Sequence, residues 1–278
     1  MNIKKLAIGG GIAVVVLIAA VWWLFFSGDT PEAVDVDAAN EQLDDDLAAA
    51  AEDEPTDDAS TDDASTDDTS TDDADAVVED EPAAPATPDP FDGDINATWV
   101  VDDEIGTFDF ETASGSFAGF RVDEELTIGQ VVAVGRTGGV SGTVTIEGDQ
   151  LTGTDITVDM GSITSNDSRR EFPIRNAVMA TDFPTATFVL TEAVALPAGL
   201  AAGETVTVDA TGELTVAGTT NEATFTINAL VRDDGFGVIT GSTTITWEDY
   251  GVTPPNAPIV LSIDESGIVE FQLIVTKG

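Results

Sequence analysis

The last two thirds of this 278-residue chain predict an all-β domain of short antiparallel strands, either a sandwich or an up-and-down barrel. Three observations support that class. Apolar side chains recur at every second position: Val144 and Ile146; Ile156, Val158 and Met160; Val206 and Val208; Leu214 and Val216; Phe225 and Ile227; and Val269, Phe271, Leu273 and Val275. A period of two buries one face of a strand and wets the other. The runs are separated by turn chemistry at Gly138-Gly139, Gly148-Asp149, Ala198-Gly199 and Asp233-Asp234-Gly235, and Asp149 to Gly153 reads as a hairpin connection. Only Ser168 to Ala180 carries helical signals. Ser168 would cap it, with Glu171 three residues on as in a capping box, while Pro173 fits only a first turn.

Composition divides the chain into residues 1–28, 29–93 and 94–278. Leu6 to Phe26 is an uncharged, almost wholly apolar run of 21 residues, and about 20 suffice to cross a bilayer as a helix. It is longer than the apolar core of a cleaved signal peptide. Lys4 and Lys5 precede it and no basic residue follows before Arg121, so the positive-inside bias predicts a retained single-pass anchor with its N-terminus in the cytoplasm and the domain outside. Trp22 and Trp23 then fall near the outer interface.

Residues 29–93 hold 25 acidic side chains and no basic one, with a five-residue repeat at Ser60-Thr61-Asp62-Asp63-Ala64, Ser65-Thr66-Asp67-Asp68-Thr69 and Ser70-Thr71-Asp72-Asp73-Ala74. So little apolar surface predicts a disordered linker, either a spacer of about 40–50 Å lifting the domain off the membrane or an acidic interaction tail. The domain itself carries 28 acidic and seven basic side chains, a formal charge of −21. Nucleic acid is excluded as a partner, because neutralising phosphates requires a basic face. The excess of acid suits a salty medium, where screening relieves self-repulsion.

Most catalytic constellations are excluded by composition. Without histidine or cysteine there is no Ser-His-Asp triad, no thiol nucleophile, no disulfide and no His/Cys zinc site. Asp102-Asp103-Glu104 reads as a solvated turn. Asp233-Asp234-Gly235 lacks the spaced ligands of a calcium loop and reads as a hairpin turn. No metal, cofactor or reaction is implied. Three of the domain's six arginines, Arg169, Arg170 and Arg175, cluster in the helical segment. They either pair with local acids or bind an anionic head group by charge-assisted hydrogen bonds.

Six stretches in order carry a family resemblance: Thr98-Trp99-Val100-Val101-Asp102, Val158-Asp159-Met160-Gly161-Ser162-Ile163-Thr164, the arginine segment, Phe183-Pro184-Thr185-Ala186-Thr187-Phe188, Gly212 to Thr220, and Trp247-Glu248-Asp249-Tyr250-Gly251-Val252. From Ala97 to Lys277 the chain resembles the YceI-like family, whose barrels are lipocalin-like and carry long polyisoprenoid lipids. It departs from many members in having no histidine. The resemblance implies an up-and-down barrel of about eight strands, with an interior binding a long apolar lipid. Its expected lining is Phe108, Phe110, Val144, Ile156, Val158, Met160, Phe172, Phe183, Phe188, Phe225, Trp247 and Tyr250, with Arg169, Arg170 and Arg175 at the head group. Two other readings compete: an envelope module with a solidly packed barrel, and a carbohydrate-active enzyme built on a carboxylate pair.

Overall fold

The structure, a computed structural model, describes residues 30–52, 88–103, 105–106, 108–112 and 114–278. The apolar run at 6–26 and the pentapeptide repeats lie outside these residues, and no described helix is long and apolar enough to cross a membrane.

The described strands, all antiparallel, are β1 (Ala97–Val101), β2 (Phe117–Leu126), β3 (Gly129–Thr137), β4 (Val140–Glu147), β5 (Gln150–Asp159), β6 (Thr164–Ser165), β7 (Thr185–Leu190), β8 (Val194–Ala195), β9 (Val206–Val216), β10 (Thr219–Val231), β11 (Gly237–Thr246), β12 (Val260–Ile263) and β13 (Ser266–Lys277). Eight of them close a ring in the order β1, β4, β5, β7, β9, β10, β11, β13 and back to β1. Of the two architectures that alternation leaves open, the chain adopts the barrel, which removes the free edges of its main sheet. Strand β13 divides its partners. Ile268 to Gln272 pair with β2, whereas Val275 to Lys277 pair with β1. The β2–β3 hairpin therefore widens the wall at one end and β1 completes it at the other.

The β4–β5 turn is shorter than its sequence suggests. It consists of Gly148 and Asp149 alone, with φ of 58° and 59°. Left-handed conformations at both positions match the twist of the flanking strands. Residues 150–153 already belong to β5, where the pairing shifts opposite Thr145 and Ile146 and leaves Thr152 as a bulge.

The expected helix forms as α2 (Ser168–Ala177), but its cap lies one residue earlier. The Asp167 side chain accepts from the Arg169 N–H at 3.0 Å, and Arg169 holds the Asp167 carboxyl below the ordinary aspartate range. Pro173 lies inside the helix, beyond the first turn that the sequence allows it. Asp167→Ala is expected to destabilise the fold by about 1 kcal/mol, the usual worth of an N-cap. Because the folded pKa is lowered, the ionised cap contributes above the ordinary aspartate range and fades as the pH falls through the folded value. Urea melts of the two proteins at neutral and acid pH measure this; a gap that is constant with pH rules out the ionised cap as its source.

The acidic linker is not uniformly without structure. Residues 36–52 form a helix, α1 (Val36–Glu52), packed on the barrel's outer wall. Val36, Ala39, Leu43 and Leu47 recur at helical spacing and make one apolar stripe. The Asp35 carboxylate caps the helix through the N–H groups of Asp37 and Ala38. The acid-rich composition of the whole segment hides this stripe, because an average over 65 residues cannot show a local period. Its docking explains an oddity of β13. Val269, Phe271, Leu273 and Val275 face inward, so Glu270, Gln272 and Ile274 should be wet, yet they are 0%, 3% and 1% exposed. The α1 helix, the segment before it and the described residues of the loop that precedes β2 cover that face; the Val34 N–H donates to Glu270 Oε2 at 3.4 Å and Gln272 donates to the Gly115 carbonyl at 2.9 Å.

Candidate ligand cavity

The inward faces of the barrel strands enclose a cavity of about 230 Å³. One water needs only about 10–15 Å³, so this space is no packing flaw. Its wall is almost wholly apolar. Seven of the expected interior residues, Val144, Ile156, Val158, Met160, Phe188, Phe225 and Trp247, line it. Phe188 meets Phe225 edge-on at 5.0 Å and Phe225 meets Phe271 at 5.5 Å, while Phe120 stands edge-on to Trp247 at 6.0 Å. These contacts hold the aromatic part of the wall in fixed orientations. Trp99, its indole N–H bound to the Ile95 carbonyl at 3.0 Å, lines the cavity with Leu200 at the end remote from α2.

Five expected lining residues lie elsewhere. Phe108 packs against Phe117 with centroids 6.0 Å apart, on the outer face of β2. Phe110 belongs to the loop that covers that face. Phe172 is 68% exposed on α2, and Phe183 covers the Gly218 turn between β9 and β10 at 41% exposure. Tyr250 is buried in the core, in the 3-10 turn Trp247–Tyr250, but does not face the cavity. All five lie outside the alternating strand runs, so no period-two register aims them inward. Conversely, sequence reasoning passed over Ile239 and Ile245, which line the cavity from β11. Threonine and glycine around them dilute the alternation.

The arginine cluster divides. Arg170 alone of the three reaches the cavity, and it also lines a second, more polar cleft of about 700 Å³ beside α2, formed with β12 and the β2–β3 hairpin. Its Nη2 donates to Glu124 Oε2 at 2.9 Å and its Nη1 to Asn166 Oδ1 at 3.3 Å. Burial raises the Glu124 pKa against the opposing pull of Arg170. Arg169, also on the cleft, forks onto Asp167 at 2.7 and 3.0 Å. Arg175 turns away, donating to the Ile163 carbonyl at 2.9 Å. Both arginines of the cleft thus face carboxylates, and Asp123 adds a further acid. Asp233-Asp234-Gly235 forms the expected turn, with Asp234 holding Arg232 at 2.7 Å. Among the described residues no cluster of acidic side chains is arranged to hold a metal ion.

A second ion cluster was not legible in the sequence. Arg136, fully buried on the outer face of β3, donates to Glu270 Oε1 from Nε at 3.2 Å and from Nη2 at 2.8 Å. Arg121 approaches the same oxygen at 3.5 Å. The Glu32 carbonyl accepts from both guanidinium groups, at 2.6 Å from Arg136 and 2.9 Å from Arg121. Burial lowers the Arg136 pKa, an effect the Glu270 hydrogen bond opposes. Glu270 also borders the cavity, whereas Arg121 and Arg136 lie on the outer side of the wall.

No curated protein matches the sequence. Among solved structures, a polyisoprenoid binding domain from Saccharophagus degradans implicated in plant cell wall breakdown is 16% identical, with a TM-score of 0.48 over 66% of this chain and 100% of that one. BcnA of Burkholderia cenocepacia is 20% identical, with a TM-score of 0.44 over 58% of this chain and 96% of its own. The family model of the YceI-like domain matches residues 108–275, from the loop before β2 almost to the end of β13. Its span takes in the strands that wall the cavity, save β1, and the helix beside its mouth, and the chain belongs to the YceI-like family.

Proposed function

We propose that this chain is a membrane-tethered, extracytoplasmic lipid-binding protein whose barrel holds a long apolar lipid of the polyisoprenoid type. The observation that carries the reading is the cavity: an apolar, aromatic-rich space inside a closed barrel, bordered at one end by the Glu124–Arg170 pair. An apolar tail gains about 0.8 kcal/mol per methylene removed from water, so such a wall binds without many polar contacts. The ligand class follows the family resemblance. Tethering and location rest on the apolar run at 6–26 and its one-sided lysines. Arg170 is the one head-group candidate placed at the cavity, and its pairing with Glu124 favours a neutral, hydrogen-bonding head over a phosphate.

The purified protein is expected to carry a discrete lipid, extractable by organic solvent and seen as an adduct in native mass spectrometry. Ala186→Phe fills the cavity from β7 without adding charge, so the fold is kept while space is lost. Excluding even two methylenes removes about 1.6 kcal/mol, somewhat more than tenfold in affinity. A folded variant that binds added polyisoprenoid as tightly as the parent refutes the interior site. A parent protein that neither carries nor takes up lipid supports the packed envelope module instead.

A further inference from the structure

The described chain before the barrel runs along the outer wall in a definite direction. Thr30 lines the cleft beside α2. Two residues on, Glu32 meets Arg121 and Arg136 at the middle of the wall. Val36 and Leu43 then pack on Phe236, Val238 and Ile274, and Asn40 and Asp44 bind Arg232 beside the β10–β11 turn, at the opposite end of the barrel. The chain reappears at that same end, where the Phe91 N–H donates to the Asp233 carbonyl at 3.0 Å. Thus α1 ends, and the described chain resumes, at the end remote from the cleft, while the first described residue after the apolar run, Thr30, lies at the cleft itself. Between Phe26, where the apolar run ends, and Thr30 there are only three residues, four steps that reach about 14 Å at full extension.

The cleft end also carries the surface that a bilayer would meet. The four most exposed large apolar side chains among the described residues are Phe172 (68%), Leu261 (61%), Ile259 (48%) and Ile128 (44%). Ile259 lines the cleft, and the others lie within two residues of its lining. Ile128 is at the tip of the β2–β3 hairpin, which is tied to β12 by the Thr127 N–H on the Ile259 carbonyl at 2.9 Å. Apolar side chains on loops around a cavity mouth can enter the headgroup boundary of a bilayer. Residues Asp123, Glu124 and Asp167 in the cleft disfavour a strongly anionic surface.

We propose that the α2 end of the barrel lies directly against the lipid bilayer, with Ile128, Phe172, Ile259 and Leu261 inserted at its surface, so that the cavity mouth opens onto the membrane. The distance from membrane to barrel is then set by the residues before α1, which itself lies on the barrel wall, and not by a spacer. This rests on the anchor and lipid-binding readings above, and it implies that the apolar ligand passes between bilayer and barrel without crossing water.

The chain has no cysteine, so single labels are clean. Full-length Leu261→Cys and Glu147→Cys, the latter exposed at the far β4–β5 turn, carry a fluorophore in phosphatidylcholine vesicles containing a headgroup-linked quencher. Quenching at position 261 is expected to be several-fold stronger than at 147. Deleting the repeats at 60–74 should leave both values unchanged. Equal, weak quenching of a chain that floats with the vesicles overturns docking while sparing the anchor, as does quenching that rises when the repeats are removed. A chain that fails to float overturns the anchor and this proposal together. Lipid extraction from the same samples reports separately on the cavity.

Discussion

Deleting residues 1–52 is expected to lower the melting temperature of the barrel, even though the deletion leaves every strand intact. The reason is the outer wall of β11 and β13, where Val238 is fully buried and Ile274 is 1% exposed only because α1 lies over them. Leu43, at 1% exposure, is the most buried residue of that helix. Leu43→Ala alone should cost about 2–5 kcal/mol, a fall of roughly 5–15 °C for a domain of this size. The deletion should exceed it, since it also removes the Glu32 carbonyl from Arg121 and Arg136. Thermal melts followed by circular dichroism decide the matter. A Leu43→Ala loss within the ±0.5 kcal/mol of an ordinary surface change sinks the docking of α1.

The second large effect is expected at Glu270. Replacing it with alanine leaves the fully buried Arg136 guanidinium without its carboxylate and Arg121 without its neighbour. Breaking a buried pair from one side costs about 3–5 kcal/mol, because the remaining charge has neither water nor a counter-ion. Glu270→Gln keeps an acceptor for Arg136 and should lose less. The double change Arg136→Met with Glu270→Leu should recover much of the loss, since it removes both desolvated charges. Denaturant titrations of the parent, of Arg136→Met and Glu270→Leu singly, and of the double change form a double-mutant cycle, with Glu270→Ala and Glu270→Gln measured beside it. A Glu270→Ala loss below about 1 kcal/mol, as for exposed pairs, would show that the cluster is solvated.

Much of the barrel was legible in the sequence because a half-buried strand writes its geometry into a period of two. Val269, Phe271, Leu273 and Val275 all line the cavity, as their alternation requires. The candidate site was legible to the same extent: Val144, Ile156, Val158, Met160 and Phe225 come from such runs and face inward. Phe172 and Phe183 are expected inside on residue type alone, and outside a strand an aromatic carries no information about direction. Arg169, Arg170 and Arg175 are neighbours along the chain, yet α2 sends them to three different partners.

By itself the sequence determined the all-β class, the turns, the helical segment, the absence of His/Cys chemistry and the family. Each of these depends on residue identity or on spacing within a few positions. Only the tertiary structure decided between barrel and sandwich, because closure depends on pairing β1 with β13, some 170 residues apart. It alone revealed the Arg136–Glu270 pair, separated by 134 positions, and the docking of α1 from within an acidic stretch. Long-range contacts join residues whose local patterns are independent of one another, so no period along the chain records them.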